Sequence, residues 1–222
     1  MKTKTTTSQT SGQRGPRLRT TVIAALWLAA VLGGSAAMRN YEFSAGGDPQ
    51  APAHWPAASQ IPRVVGHATV VVFAHPLCPC TAATVAELAE VVAEAGAGTT
   101  VSVLFFTPAD AGTEWTQAPS VLQAAAIPGV TIVADGSGHE ARLFHAATSG
   151  RTLLYDANGE LIFDGGITGS RGHAGENAGA TALLNFLTHK SGVRPTTPVF
   201  GCSILPVTAT PDSISCNTSN SR

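Results

Sequence analysis

Hydrophobic and polar positions fall into blocks of different period along this chain. The first block is the uncharged stretch Thr20 to Met38, whose centre, Val22 to Leu32, is wholly apolar. It is about as long as a short membrane span requires, roughly 17–25 residues. Residues 39–62 show neither a strand nor a helix period and are rich in Pro, Ala and Gly, so they read as a spacer that packs through Trp55. Ala68 to Ala74 is then a continuous β-branched and aromatic run, the pattern of a strand buried on both faces. After it, Thr81 to Ala95 carries Val85, Leu88, Val91 and Val92 on one helical face and Glu87, Glu90 and Glu94 on the face expected to meet water, and Gly96 and Gly98 stop it.

Thr100 to Phe106 repeats the buried-strand pattern, and strand–helix–strand in this order implies a right-handed parallel crossover. Pro119 to Ala126 reads as a short helix, Val130 to Ala134 as a third strand and Ala141 to Ala146 as another short helix. Arg151 to Tyr155 and Leu161 to Asp164 form a hairpin about Asn158-Gly159, a two-residue turn signal. A glycine-rich loop, Gly165 to Gly179, leads into a last helix, Ala180 to His189. Residues 206–222 are rich in Ser, Thr and Asn and are expected to be an unordered tail. A βαβ unit followed by further helix and strand, a hairpin and a helix predicts an α/β domain over residues 63–205. Its expected form is a thioredoxin-like fold, a mixed central sheet flanked by helices.

Composition narrows the class. With 44% hydrophobic and 12% charged residues, a sizeable core is expected rather than a disordered chain. A net charge of −1 and the lack of a basic stripe after residue 40 argue against nucleic-acid binding. The cations that do cluster, Lys2, Lys4, Arg14, Arg17 and Arg19, stand in the basic stretch 1–19, just before the apolar block 20–38. That asymmetry keeps the N-terminus in the cytoplasm and sends the domain across the membrane. The expectation is an N-terminal transmembrane or signal helix, single-pass in the inner (cytoplasmic) membrane, with the domain periplasmic or otherwise extracytoplasmic. Ser35-Ala36-Ala37 would suit a signal peptidase, so both an uncleaved anchor and a cleaved signal stay open.

The candidate chemistry is cysteine chemistry. Cys78 and Cys80 fall between the first strand of the βαβ unit and its helix, Cys202 lies near the end of the folded part, and Cys216 lies in the tail. At a helix N-terminus the partial positive charge stabilises a thiolate, the reactive form. Cys78 therefore reads as the attacking thiol and Cys80 as the resolving one, with His75 near enough in sequence to add positive charge. A Cys78–Cys80 disulfide would close a small ring whose strain raises its reduction potential.

The segments Phe73–Cys80 (FAHPLCPC), Ala125–Val130 (AAIPGV), Ala147–Asp156 (ATSGRTLLYD), Gly165–Gly179 (GGITGSRGHAGENAG) and Pro198–Cys202 (PVFGC) resemble bacterial RedB-type proteins, membrane-anchored relatives of thioredoxins and peroxiredoxins. The resemblance covers roughly Tyr41 to Leu205 and implies a thioredoxin-like fold at the membrane. Thioredoxins place two residues between their cysteines, where this chain has Pro79 alone. Peroxiredoxins carry a Thr shortly before the reactive cysteine, and none stands in Phe73–Leu77. The thioredoxin cis-proline position corresponds to Thr148–Arg151, which holds no proline. These departures speak against peroxidase chemistry and leave thiol–disulfide exchange with protein thiols and disulfides of exported proteins as the leading expectation, with no cofactor required.

Two other readings stand beside it. Two thiolates one residue apart suit a soft ion such as Cu(I) or Zn(II), with His173 or Cys202 completing the shell, by analogy with copper-assembly proteins of the SCO type. A redox-inert binding scaffold is the other. The glycine-rich loop lacks both phosphate-binding patterns. It is expected to lie across the cysteine end of the sheet, where His75, Arg151, Arg171, His173 and Asn177 would contact a substrate. The apolar, Pro- and Gly-containing stretch Pro198–Gly201 should return to the domain and bring Cys202 toward the cysteine pair.

Overall fold

The structure is a computed structural model and describes residues 15–64, 66–96, 98–189 and 196–205. It divides into two units, 1–41 and 42–222. In the first, helix α1 (Gly15–Glu42) runs further than the apolar block at both ends. Ala, Leu and Val keep it helical, and no proline interrupts it from Leu18 onward. From Leu18 to Glu42 it is long and apolar enough to cross a membrane, with a mean hydropathy of 1.9, and Val22, Ile23, Leu26, Trp27 and Leu32 are all exposed. The basic stretch is described only from Gly15 on; Lys2, Lys4 and Arg14 lie outside the described residues, as do the tail 206–222 and Cys216.

The second unit is built on a six-stranded sheet. Its elements, in order, are β1 (Ala68–Ala74), α2 (Pro79–Ala95), β2 (Thr99–Thr107), α3 (Thr113–Thr116), α4 (Pro119–Ala125), β3 (Val130–Gly136), α5 (His139–Leu143), β4 (Arg151–Tyr155), β5 (Leu161–Gly166), α6 (Ala178–His189) and β6 (Thr196–Thr197). The strand order is β3-β2-β1-β4-β5-β6. β1 pairs parallel with β2, and β2 with β3, while β4 runs antiparallel to both β1 and β5. This mixed sheet, with a βαβ unit on one side and a hairpin on the other, is the thioredoxin-like fold.

Because successive strand residues point to opposite faces, β1 feeds two cores. Val70, Val72 and Ala74 pack with Val85 and Leu88 of α2 and Leu183 of α6 on one face. Val71 and Phe73 pack with Phe144, Leu153 and Tyr155 on the other. β1 is therefore buried on both sides, as its unbroken apolar run requires.

Several expectations need correction. Trp55 packs as expected, meeting Phe144 and Tyr155 edge-on at 5.0 and 5.2 Å, but the stretch read as a spacer is held at further points, with Ala51 and Ile61 also buried. Single anchors spaced irregularly leave no period to read. Helix α5 begins two residues before the expected start, because both oxygens of Asp135 accept the Glu140 and Ala141 amides at 2.8 and 3.0 Å. It ends early, since His145 takes a left-handed backbone at φ 57°. The short elements α3 and β6 carry too few residues for a periodic signal.

Glu87 was placed on the water face of α2 and is instead buried at 4% exposure. Its carboxylate accepts the Gly175 amide and, at 3.0 Å, the Asn177 side-chain amide, both in the glycine-rich loop. A charged group on the helix thus ties the loop to the domain.

Candidate functional site: a three-thiol cluster at the head of α2

The chain leaves β1 at Ala74, turns through His75 to Leu77 and enters α2. The turn closes with the Cys78 amide donating to the His75 carbonyl at 3.0 Å. Cys78 is the N-cap of α2 in an extended conformation, and Pro79 is at the first helical position, where its missing N–H costs nothing. The helix is 17 residues long, so Cys78 sits at the positive end of a full set of aligned peptide dipoles. Three hydroxyls brace the turn. Thr81 Oγ1 donates to the His75 carbonyl at 2.8 Å, Ser149 Oγ accepts the His75 amide at 2.9 Å, and Ser120 Oγ donates to the Pro76 carbonyl at 2.8 Å. Thr81 and Ser149 also bond each other at 2.9 Å.

From the far end of the chain, residues 200–204 return to this point. The Ser149 amide donates to the Cys202 carbonyl at 2.8 Å, the Ile204 amide donates to the Ala147 carbonyl at 2.7 Å, and Thr148 and Ser203 form an antiparallel bridge. Arg171 Nη1 donates to the Gly201 carbonyl at 2.6 Å. Val199, Phe200 and Ile204 are buried and hold the segment by its apolar side chains. The result places Cys202 Sγ 2.8 Å from Cys78 Sγ. Cys78 and Cys80 are buried and Cys202 half-buried, and all three are free thiols.

The electrostatics favour one negative charge on this cluster, held by Cys78. Hydrogen bonds from Cys202 first, and then from Cys80, draw its thiol well below the ordinary range, against the opposing effect of burial. Cys202 moves the other way, because its bonds to Cys78 and Cys80, burial and their charges all favour its protonated form. For Cys80 the bond to Cys202 pulls the thiol down, but the bond to Cys78, burial and the Cys78 charge outweigh it, and the net shift is upward despite the nearby Arg171 guanidinium.

The other sequence candidates fare differently. His75 does stand beside Cys78, but burial lowers its pKa, against the pull of the Cys78 charge, so the expected imidazolium gives way to a neutral ring near pH 7. Its Nδ1 accepts the Leu77 amide at 3.2 Å, and the ring lies against Phe106 and Trp115. Arg171 lies by the cluster, and besides Gly201 it donates from Nε to the Ser44 carbonyl.

Arg151 is 2% exposed and gives Asp164 two bonds, at 3.0 and 2.9 Å, with Asp48 at 3.5 Å. Those three residues line a cavity of about 540 Å³ whose walls include none of the cysteines. Asn177 serves as a cap, its Oδ1 accepting the Ala180 amide at 2.8 Å, while its Nδ2 holds Glu87 and the Ile167 carbonyl. His173 is exposed, with Nδ1 by Ser170 Oγ and the Arg171 carbonyl. Among the described residues no group of three or more His, Cys, Asp and Glu side chains is disposed to hold a metal ion.

Thr81, Ser149 and Ser120 were not legible as site residues, since each acts through a contact set by the fold. Only Thr81, three positions beyond Cys78, carried a local signal, as a hydroxyl in the first turn of α2.

No family model and no curated protein matches the sequence. Among solved structures, the chain is similar to a hypothetical protein from Sinorhizobium meliloti 1021, at 24% identity and a TM-score of 0.52, over 63% of this chain and 79% of that one. It is also similar to an uncharacterized conserved protein from Geobacillus kaustophilus, at 20% identity and a TM-score of 0.53, over 76% and 95% of the two chains. A secreted Mycobacterium tuberculosis disulfide oxidoreductase matches at 18% identity and a TM-score of 0.41, over 56% and 83%. Likeness at these identities concerns the fold.

Proposed function

We propose that this chain is an exported, membrane-anchored thiol–disulfide exchange protein in which Cys78 is the attacking thiol. The observation that carries the reading is the position of Cys78, capping a long helix with a second thiol in contact. A thiolate there is stabilised by the helix end and by thiol donors, and it attacks the disulfide of a partner protein. Helix α1 would hold the domain at the outer face of the inner membrane, in keeping with the basic residues before it and with the RedB-type resemblance. The partners would be thiols and disulfides of exported proteins.

A soft-metal reading draws on the contact of Cys78 with Cys202 and on Cys80 beside them, thiols that Cu(I) or Zn(II) would take as thiolates. It is the weaker one, because among the described residues no group of three or more His, Cys, Asp and Glu side chains is disposed to hold a metal ion, and His173 Nδ1 lies by the Arg171 carbonyl.

The test is exchange with a fluorescently labelled glutathione disulfide. Reduced full chain should release the label in proportion to protein, Cys78→Ser should abolish release, and tight metal retention by the untreated protein in place of exchange would favour the metal reading. An exported reporter fused after Leu205 should be active and a cytoplasm-only reporter silent.

A further inference from the structure

We infer that the thiol that resolves Cys78 is Cys202, presented by the antiparallel bridge between Thr148 and Ser203, and that Cys80 stays reduced through the cycle. The inference rests on the exchange reading above and assigns its second half-reaction to a residue 124 positions away.

Geometry separates the two candidates. Cys80 is the second residue of α2 and its thiol also bonds Cys78, but a Cys78–Cys80 disulfide would close a small ring about Pro79, whose strain disfavours it. Pro79 between the two cysteines resists the new backbone angles that such a ring needs. Cys202 approaches from a separate segment. Its sulfur needs to close from 2.8 Å to the roughly 2.05 Å of a disulfide, a movement side chains can make with the backbone bonds at Ser149 and Ala147 intact.

The segment is built to hold that position. Gly201 is needed there because a Cβ would collide with the Ser149 carbonyl oxygen. Ile204 anchors one side in the core and Phe200 the other. Extended chain paired edge-on to residues 147–149, with its cysteine on Cys78, also has the form that an added peptide strand would take. The chain's own segment therefore occupies the place beside Cys78.

The step balances with a partner disulfide, R–S–S–R′, as the oxidant. The Cys78 thiolate attacks one partner sulfur, forming Cys78–S–S–R and expelling R′–S⁻. Cys202, once deprotonated, attacks Cys78 Sγ, forming the Cys78–Cys202 disulfide and expelling R–S⁻. Two electrons pass from the cysteine pair to the partner, and the two protons lost by Cys78 and Cys202 appear on the partner's thiols. The reverse sequence oxidises a partner dithiol.

The test uses the full chain with Cys216→Ser, reduced and then exposed to oxidised glutathione, with mass analysis of trapped products. With Cys202→Ser added, a glutathione adduct at Cys78 should accumulate, at least about tenfold above its level with Cys80→Ser added. The Cys80→Ser chain should instead close to an internal disulfide linking the peptides of Cys78 and Cys202. Should serine at 202 disturb folding, the Cys80→Ser chain decides alone, because only Cys78 and Cys202 remain to pair. Adduct accumulating with Cys80→Ser, or equally in both variants, overturns Cys202 as the resolving thiol and leaves exchange at Cys78 standing. Absence of adduct and disulfide in every variant overturns the exchange reading, and this inference with it.

Discussion

The Ser149 amide donates to the Cys202 carbonyl at 2.8 Å, and this bond sets the register that puts the Cys202 sulfur on Cys78. Its neighbour Gly201 passes so near the Ser149 carbonyl that there is no room for a side chain. Gly201→Ala should push the segment away from residues 147–149. The fold is expected to survive, since the strands and helices that build both cores lie elsewhere and of this segment only Ile204 and Leu205 reach one of them. The yield of Cys78–Cys202 disulfide should fall by about tenfold or more under limiting oxidant. Undiminished yield would mean that the register does not matter.

A second consequence concerns Glu87, buried under the glycine-rich loop with Gly175 and Asn177 as donors. Glu87→Ala removes the acceptor of the Gly175 amide and one of the acceptors of the Asn177 side chain, so stability should fall by roughly 1.5–3 kcal/mol. Denaturant unfolding measures the loss, and limited proteolysis should show the first new cut between Gly169 and Asn177. An unchanged midpoint would return Glu87 to the solvated face that its place in the helix pattern suggests.

Arg151 is buried between Asp164, at 3.0 and 2.9 Å, and Asp48, at 3.5 Å, so removing it leaves two carboxylates without their cation. Arg151→Met should cost about 3–5 kcal/mol while exchange per folded molecule stays as in the parent chain. A stable variant with a raised KM for partner peptides would instead make Arg151 a substrate contact.

What could be read in the sequence, and what could not, follows from the range of the contacts. β1 and β2 announced themselves because strands buried on both faces must be apolar throughout, and Asn158-Gly159 marked its turn because Gly159 takes φ 86°. The place of Cys78 and Cys80 was legible from strand, break and helix in succession. Glu87 was misread because a helix pattern classes charged residues as exposed, and only the fold reveals its partners 88 and 90 positions away; the pairing of Arg151 with Asp164 likewise leaves no signal in a strand pattern. His75 was assigned a charge from its place in the sequence, but its neutrality comes from burial, which a sequence does not display. The return of Pro198–Gly201 was foreseen from its apolar character, and its register against Ser149 was not.

The central claim is that Cys78 carries the thiolate of the cluster, and its alkylation rate as a function of pH tests this most directly. Because the folded pKa of Cys78 is depressed, its thiolate persists as pH falls below the range of a free thiol, about 8.5. In the reduced Cys216→Ser chain, iodoacetamide should modify Cys78 at a rate that stays level from pH 8 down to about 5, faster than Cys80 or Cys202 throughout. Cys202→Ala, which removes the larger donor, should slow the reaction at pH 5 by at least about tenfold and more than Cys80→Ala does. A rate for Cys78 that falls tenfold per pH unit below about 8.5, or faster labelling of Cys80 at neutral pH, would contradict the account.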